Sequence, residues 1–199
     1  MPKIDPKIGQ NWLEKRERLK QGKEFATGVM RVTAQLIEDG HSVAKTIVAS
    51  ERGDGEAAGS SFLQTKEFGF EADECDDDAR GPLALQYFLA GYAFCMLSIG
   101  AYIASANKLD LDLFELEVRG YTDRKAMMGL SDGIPGFKRW VYEVRVNSKA
   151  EQHVVEKWLE QVEAQCPAHN TIRRALPMER TFRFNGSKVG EPLTLSRLV

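Results

Sequence analysis

Three cysteines, Cys75, Cys95 and Cys166, carry the redox chemistry open to this chain of 199 residues. Cys166 precedes Pro167, and proline disfavours helical geometry at the residue before it, so Cys166 belongs at a helix boundary. If residues 168–175 form the next short helix, the amide N–H groups and dipole at its start stabilise a thiolate there; otherwise Cys166 is an inert boundary thiol. Cys95 lies between Phe94 and Met96 in an apolar stretch. It reads either as a small buried hydrophobe or as a reactive thiol. Cys75 sits in Asp73-Glu74-Cys75-Asp76-Asp77-Asp78, where carboxylates disfavour the thiolate, and is expected to take no part. Spacing alone does not tell whether Cys95 and Cys166, 71 residues apart, meet in space. His41 can polarise a thiol near neutral pH but reads as a solvent-facing turn residue. His153 and His169 match no zinc spacing with the cysteines, so no metal is expected. His153 reads as a surface residue and His169 as part of a helix start.

The composition, 43% hydrophobic and 28% charged with a net charge of −2, is that of a globular protein, and no global basic excess points to nucleic acid. Few, odd-numbered cysteines do not suit a secreted disulfide scaffold. The polar start MPKIDPKIGQNWLEKRERLK does not read as a signal peptide, so the expectation is cytoplasmic. Residues 81–107 contain no charge, long enough for a membrane span. Gln86, Ser98, Gly91, Gly100 and several alanines dilute the stretch, and the expectation is a helix buried on all sides rather than a membrane segment.

Residues 1–22 read as an N-terminal extension with a short amphipathic helix after Trp12 and Leu13, suited to packing or a dimer contact. Strands are expected over residues 25–37, 41–49 and 62–70. Glu38-Asp39-Gly40 forms a tight turn, residues 50–61 a loop and residues 71–80 an exposed acidic segment. Pro82 opens the apolar helix, which ends near Asn107. A strand over residues 112–121 alternates Phe114, Leu116 and Val118 with Glu115, Glu117 and Arg119. A turn at residues 132–136 leads to a strand over residues 137–147 with Trp140, Tyr142, Val144 and Val146 on one face. Ser148 and Glu151 form a capping box for a helix whose apolar face is Val154, Val155, Trp158, Leu159 and Val162. Pro167 ends that helix, and a last strand covers residues 178–184. This order is α+β, and a helix so apolar needs more cover than one chain provides, which implies a dimer.

GPLALQYFLAGYAFC resembles the signature of the OsmC/Ohr family, a proline followed by an apolar helix reaching a reactive cysteine. EVRGYTDRKAMMGLSDGIPGFKRWVYEVRVNS resembles that family's middle region, and CPAHNTIRR its second cysteine motif, Cys-Pro-x-x-Asn-Thr followed by a basic residue. The resemblance covers about residues 80–184 and frames an OsmC-like domain at residues 23–185 with a tail at residues 186–199. It implies antiparallel sheets around a long buried central helix, an intertwined homodimer and a thiol peroxidase site at the dimer interface. Cys95 would then attack the peroxide and become a sulfenic acid, and Cys166 would resolve it to a disulfide. A dithiol reductant would restore both thiols, with no metal or organic cofactor. The implied substrates are organic hydroperoxides, with Phe88, Phe94 and Met96 as apolar walls that otherwise serve the core.

Two departures from the family pattern stand out. The family's peroxidases hold the first cysteine with an arginine fixed by a glutamate, the glutamate nine or ten residues before the cysteine; those positions here are Gln86 and Leu85. Gln86 can hydrogen-bond an arginine but cannot form an ion pair. The arginine comes from the first hairpin, whose turn here, Glu38-Asp39-Gly40-His41, has none. Arg31, Arg52 and Arg80 are the candidates, each otherwise a solvated charge. The expectation is a thiol-dependent peroxidase with a rearranged activating group. The alternative is an altered family member that binds a small apolar ligand in the dimer-interface cleft.

Overall fold

In chain order, the computed structural model contains α1 (Pro6–Lys20), β1 (Arg31–Glu38), β2 (His41–Ile47), the two-residue strands β3 (Ser50–Glu51) and β4 (Ala57–Ala58), and β5 (Phe68–Ala72). These are followed by α2 (Ala84–Ala106), β6 (Leu113–Thr122), α3 (Arg124–Met127), β7 (Phe137–Asn147), α4 (Gln152–Gln165), α5 (Pro167–Arg173), β8 (Met178–Phe184) and β9 (Ser187–Leu195). The structure describes residues 6–21, 31–38, 41–47, 50–51, 57–58, 68–72, 81–174, 178–184 and 187–195. Cys75, Arg52, Arg80 and most of the expected loop and acidic segment lie outside them.

The apolar segment after Pro82 is helix α2, 23 residues long. Leu83 N–H donates to Gln86 Oε1 at 2.9 Å, satisfying one of the orphan donors of a helix start. The helix ends at Asn107, after which Lys108 takes left-handed backbone with φ 56°, a common way to leave a helix. By length and composition α2 qualifies as a membrane span. In the fold it is the central helix instead. Tyr92, Met96, Ile99, Ile103 and Ala104, at helical spacing, meet Trp158 and Val162 of α4, together with Leu109 and Cys166. Trp158 Nε1 donates to the Gly100 carbonyl at 3.0 Å, and the Phe114 ring lies edge-on to Trp158 at 4.8 Å. Only glycine fits at position 100, because a Cβ there would enter the Phe114 ring.

Strands β6 and β7 form an antiparallel pair with Leu116 opposite Val144 and Val118 opposite Tyr142. Their apolar residues pack on the core cluster. On the outer face Arg145 bridges Glu115, Glu117 and Glu143, matching the expected alternation. Between these strands the sequence predicted only a turn, yet α3 forms there because Asp123 Oδ1 accepts from the N–H groups of Lys125 and Ala126 at 3.0 and 3.2 Å. The expected capping box on α4 is not made. Ser148 Oγ donates to the Asp110 carbonyl at 2.6 Å and accepts from Ala150 N–H at 3.1 Å, so the serine ties the strand end to the α2–β6 connection and α4 begins later.

β1, β2 and β5 form one sheet with β2 in the centre. Of the third expected strand, residues 62–67 lie outside the described residues, and the described part, Phe68–Ala72, runs two residues past its expected end. β8 pairs with β9, a strand that falls in the expected tail. Among the described residues these two sheets pair chiefly within themselves. The β5 end meets α2 where Tyr87 Oη donates to the Glu71 carbonyl at 2.6 Å. At the other end of the chain α1 docks on α2. Trp12 stacks on Tyr102 at 5.2 Å, and Gly9 N–H donates to Ser105 Oγ at 3.1 Å. A Cβ on Gly9 would lie 2.5 Å from Ala106 N, a backbone atom that cannot turn aside. Gly9→Leu is therefore expected to cost about 1–3 kcal/mol by overpacking, or about 2–4 °C in Tm per kcal/mol for a chain of this size. It should also speed tryptic cleavage after Arg18. A melting curve and digestion rate equal to wild type would contradict this docking.

Candidate active site

The second cysteine motif folds into a tight joint between two helices. Cys166 closes α4, its N–H donating to the Val162 carbonyl at 2.8 Å, and its extended backbone (φ −73°, ψ 117°) lets Pro167 start α5. Asn170 completes the joint. Its Nδ2 donates to the carbonyls of Glu163, Ala164 and Cys166 at 3.1, 3.2 and 2.9 Å, satisfying acceptors that a helix end leaves open. This explains why the motif needs an asparagine, a role that spacing does not reveal.

The joint brings Cys166 Sγ to 3.5 Å from Cys95 Sγ on α2, with both thiols free. Cys166 is fully buried, whereas Cys95 is partly exposed. Burial pushes the Cys166 thiol up, to about 11. The His169 N–H, 3.5 Å from Cys166 Sγ, pulls the other way, and the neighbouring Cys95 adds to the rise. The expected thiolate at this helix start is thus corrected: α5 does begin at Cys166, but the desolvation of a fully buried sulfur outweighs the N–H contact.

Beside the sulfur pair lies a cleft of about 470 Å³ lined by Tyr92, Trp140, Tyr142, Glu163, His169, Ile172 and Arg173. Tyr92 Oη and His169 Nδ1 are 2.9 Å apart, and Tyr142 Oη donates to Glu163 Oε1 at 2.6 Å. Burial, with negative charge at Cys166 and Glu163, raises Tyr92 to about 12. Burial and the Glu163 carboxylate raise Tyr142. His169 is lowered by burial and by Arg173, against the opposing pull of Glu163. Tyr92 and Glu163 were not singled out from sequence, and Asn170 entered only as a position of the second cysteine motif. Tyr92 falls one turn before Cys95 and was hidden in the apolar pattern.

The other expected site residues separate. Gln86, expected to support an arginine, caps the start of α2 instead, because its Oε1 is taken by the Leu83 N–H. Arg52 and Arg80 lie outside the described residues, as does the side chain of Arg31 on β1. Met96 is fully buried in the core, so its expected place on a substrate wall is corrected to packing. Phe94 faces outward, 67% exposed, away from any described cleft. Phe88 does line a groove of about 250 Å³ with Leu85, Thr122, Met127, Pro135, Gly136 and Phe137, and its ring lies 6.0 Å from that of Phe137. His153 is exposed and contacts Glu151 at 3.2 Å. Among the described residues no group of three His, Cys, Asp or Glu side chains can hold a metal ion.

Fold and site together define an α+β protein whose central helix presents one thiol to a second thiol at a helix joint. The family model described as "OsmC-like protein" matches residues 76–180, more than half of the chain, and the chain belongs to that family. It is similar to the "Hydroperoxide reductase" of Mycoplasma genitalium, 28% identical over 96 residues that make up 48% of this chain and 65% of that relative. The chain thus spans just under two thirds of the length of that relative. Among solved structures, an OsmC like protein from Mycoplasma pneumoniae superposes with a TM-score of 0.56 at 22% identity, covering 73% of this chain and 87% of that one. That likeness shows the OsmC-like fold. A protein described as an organic hydroperoxide resistance protein OsmC, from Legionella pneumophila, gives a TM-score of 0.43 at 21% identity, covering 74% and 91%.

The unequal exposure of the two sulfurs is directly testable. Brief iodoacetamide treatment of the reduced, folded protein should label Cys95 and spare Cys166, read by mass spectrometry of the two peptides. Equal labelling of both before unfolding would contradict the burial of Cys166.

Proposed function

We propose that this protein is a thiol-dependent peroxidase that reduces organic hydroperoxides through Cys95 and Cys166. The observation that carries the reading is the 3.5 Å approach of a partly exposed thiol to a fully buried one. In the first step the Cys95 thiolate attacks the peroxide oxygen. The O–O bond breaks, the alkoxide takes a proton and leaves as alcohol, and Cys95 becomes a sulfenic acid. In the second step Cys166 sulfur attacks Cys95 sulfur, the S–O bond breaks, and the thiol proton leaves with the hydroxyl as water. A disulfide bond of about 2.05 Å requires the sulfurs to close by only about 1.5 Å. A dithiol then reduces the disulfide by exchange and is itself oxidised. Sulfur performs all of this chemistry, so the reading needs no metal or organic cofactor. The Phe88 groove suits an apolar alkyl group.

The reading extends to a cytoplasmic homodimer. Leu85, Phe88 and Phe94 of α2 are 42%, 51% and 67% exposed, and Met128, Leu130 and Ile134 about 70%. Apolar surface of this kind marks an interaction site, and the two sheets, which among the described residues pair chiefly within themselves, suit strands that lie against a second copy. A homodimer burying more than about 2,000 Å² is expected, and a monomer by light scattering at micromolar concentration would contradict it. The alternative, binding of a small apolar ligand without chemistry, is favoured by one observation. Gln86 is occupied as a helix cap, leaving the family's carboxylate position without an acid.

Consumption of cumene hydroperoxide in the presence of dithiothreitol separates the two readings. Wild type should turn over, Cys95→Ser should lose all turnover, and Cys166→Ser should complete one attack and then over-oxidise. Cys166 is raised, so at neutral pH it is protonated, and its closure onto the sulfenic acid should quicken about tenfold per pH unit from pH 7 towards 10. No consumption by wild type would leave the ligand-binding reading.

A further inference from the structure

Tyr92 stands three residues before Cys95 on α2, and His169 three residues after Cys166 on α5. Residues three apart on a helix share a face. The contact between Tyr92 Oη and His169 Nδ1 at 2.9 Å therefore joins the same two helices, on the same faces, as the sulfur pair at 3.5 Å. Both side chains are buried, Tyr92 3% and His169 7% exposed. His169 also reaches the sulfur by a second route, since its backbone N–H points at Cys166 Sγ. One residue thus contacts the buried thiol with its main chain and the helix of the other thiol with its ring. Trp140, edge-on to Tyr92 at 5.0 Å, and Tyr142, edge-on to His169 at 5.7 Å, hold the two rings in place.

We propose that the Tyr92–His169 hydrogen bond is a clasp that holds Cys95 and Cys166 in register for disulfide closure, making Tyr92 and His169 positioning residues. A disulfide forms only within a narrow range of backbone separation and torsion, and closure speeds up when the reacting atoms are held near contact. Tyr92 remains a hydroxyl at neutral pH, so the bond to a neutral imidazole carries no charge. The groups facing His169 are Tyr92 from α2, Tyr142 from β7, Glu163 from α4 and Arg173 from its own helix. Removing the Tyr92 hydroxyl leaves a buried imidazole nitrogen without its partner and frees α2 to shift against α5. The clasp's role in turnover rests on the peroxidase reading, but its effect on the thiol pair does not.

The test is the equilibrium of the Cys95–Cys166 pair with oxidised and reduced dithiothreitol, in which protein dithiol and oxidised dithiothreitol exchange two electrons and two protons. The disulfide fraction is read by alkylation and mass. Tyr92→Phe, which keeps the ring and its packing, should lower the disulfide-to-dithiol ratio about tenfold, the order of one buried hydrogen bond. His169→Ala should do the same. His169→Asn, whose amide reaches the Nδ1 position, should recover most of the loss. In peroxide reactions the same variants should slow the disulfide-forming step by more than they slow the oxidation of the first thiol. A ratio in Tyr92→Phe within twofold of wild type would overturn the clasp, as would an Asn variant no better than Ala. Wild type that shows the equilibrium but consumes no cumene hydroperoxide would remove the peroxidase reading and leave the clasp intact.

Discussion

The hydrogen bond from Trp158 Nε1 to the Gly100 carbonyl sets how α4 lies on α2, and the sulfur pair depends on that placement. A buried indole N–H must find an acceptor, and a helix carbonyl offers one only where the helix surface is bare. Gly100 provides that bare surface, with the Phe114 ring filling the space a side chain would take. Once Trp158 is fixed, Val162 and then Cys166 follow along the same face of α4 into the core. The Pro167 joint then halts the chain where Cys166 meets Cys95. A chemical pair 71 residues apart in sequence is thus set by a packing contact that includes neither cysteine.

The two thiols differ by environment rather than by type. Cys95 sits on an apolar helix with partial access to solvent. Cys166 is sealed and held protonated by burial, with a backbone N–H that only partly offsets the loss of water. A buried neutral thiol resists adventitious oxidation, which follows thiolate character and exposure. It nevertheless lies 3.5 Å from Cys95 Sγ, where the proposed mechanism would form a sulfenic acid. Packing of Cys166 in the core cluster with Tyr92, Met96, Trp158 and Val162 removes it from water and produces this difference.

Much of this was legible in the residues, and the exceptions have physical reasons. The uncharged run after Pro82, the alternation in β6 and β7 and the helix boundary at Cys166-Pro167 each follow from local rules, but α2 is buried on one face only, with Leu85, Phe88 and Phe94 exposed, rather than on all sides. Direction around a helix was harder to read. Phe94, Cys95 and Met96 are neighbours in sequence but point to solvent, to the second thiol and to the core, and no apolar periodicity separates them in a helix that is apolar all round. Polar residues were misread where tertiary partners decided their bonds. Ser148 serves the Asp110 carbonyl instead of a helix cap, and Gln86 serves the helix start instead of an arginine. Asn170 and Tyr92 owe their roles to atoms brought close only by folding.

The proposed function requires that Cys95 and Cys166 form one redox couple. Non-reducing peptide mapping after a single equivalent of cumene hydroperoxide tests it most directly. The expected result is one cross-linked species joining the Cys95 and Cys166 peptides, two thiols lost per peroxide, and Cys75 still reduced. Recovery of both peptides as free thiols, or a cross-link that runs through Cys75, would contradict it.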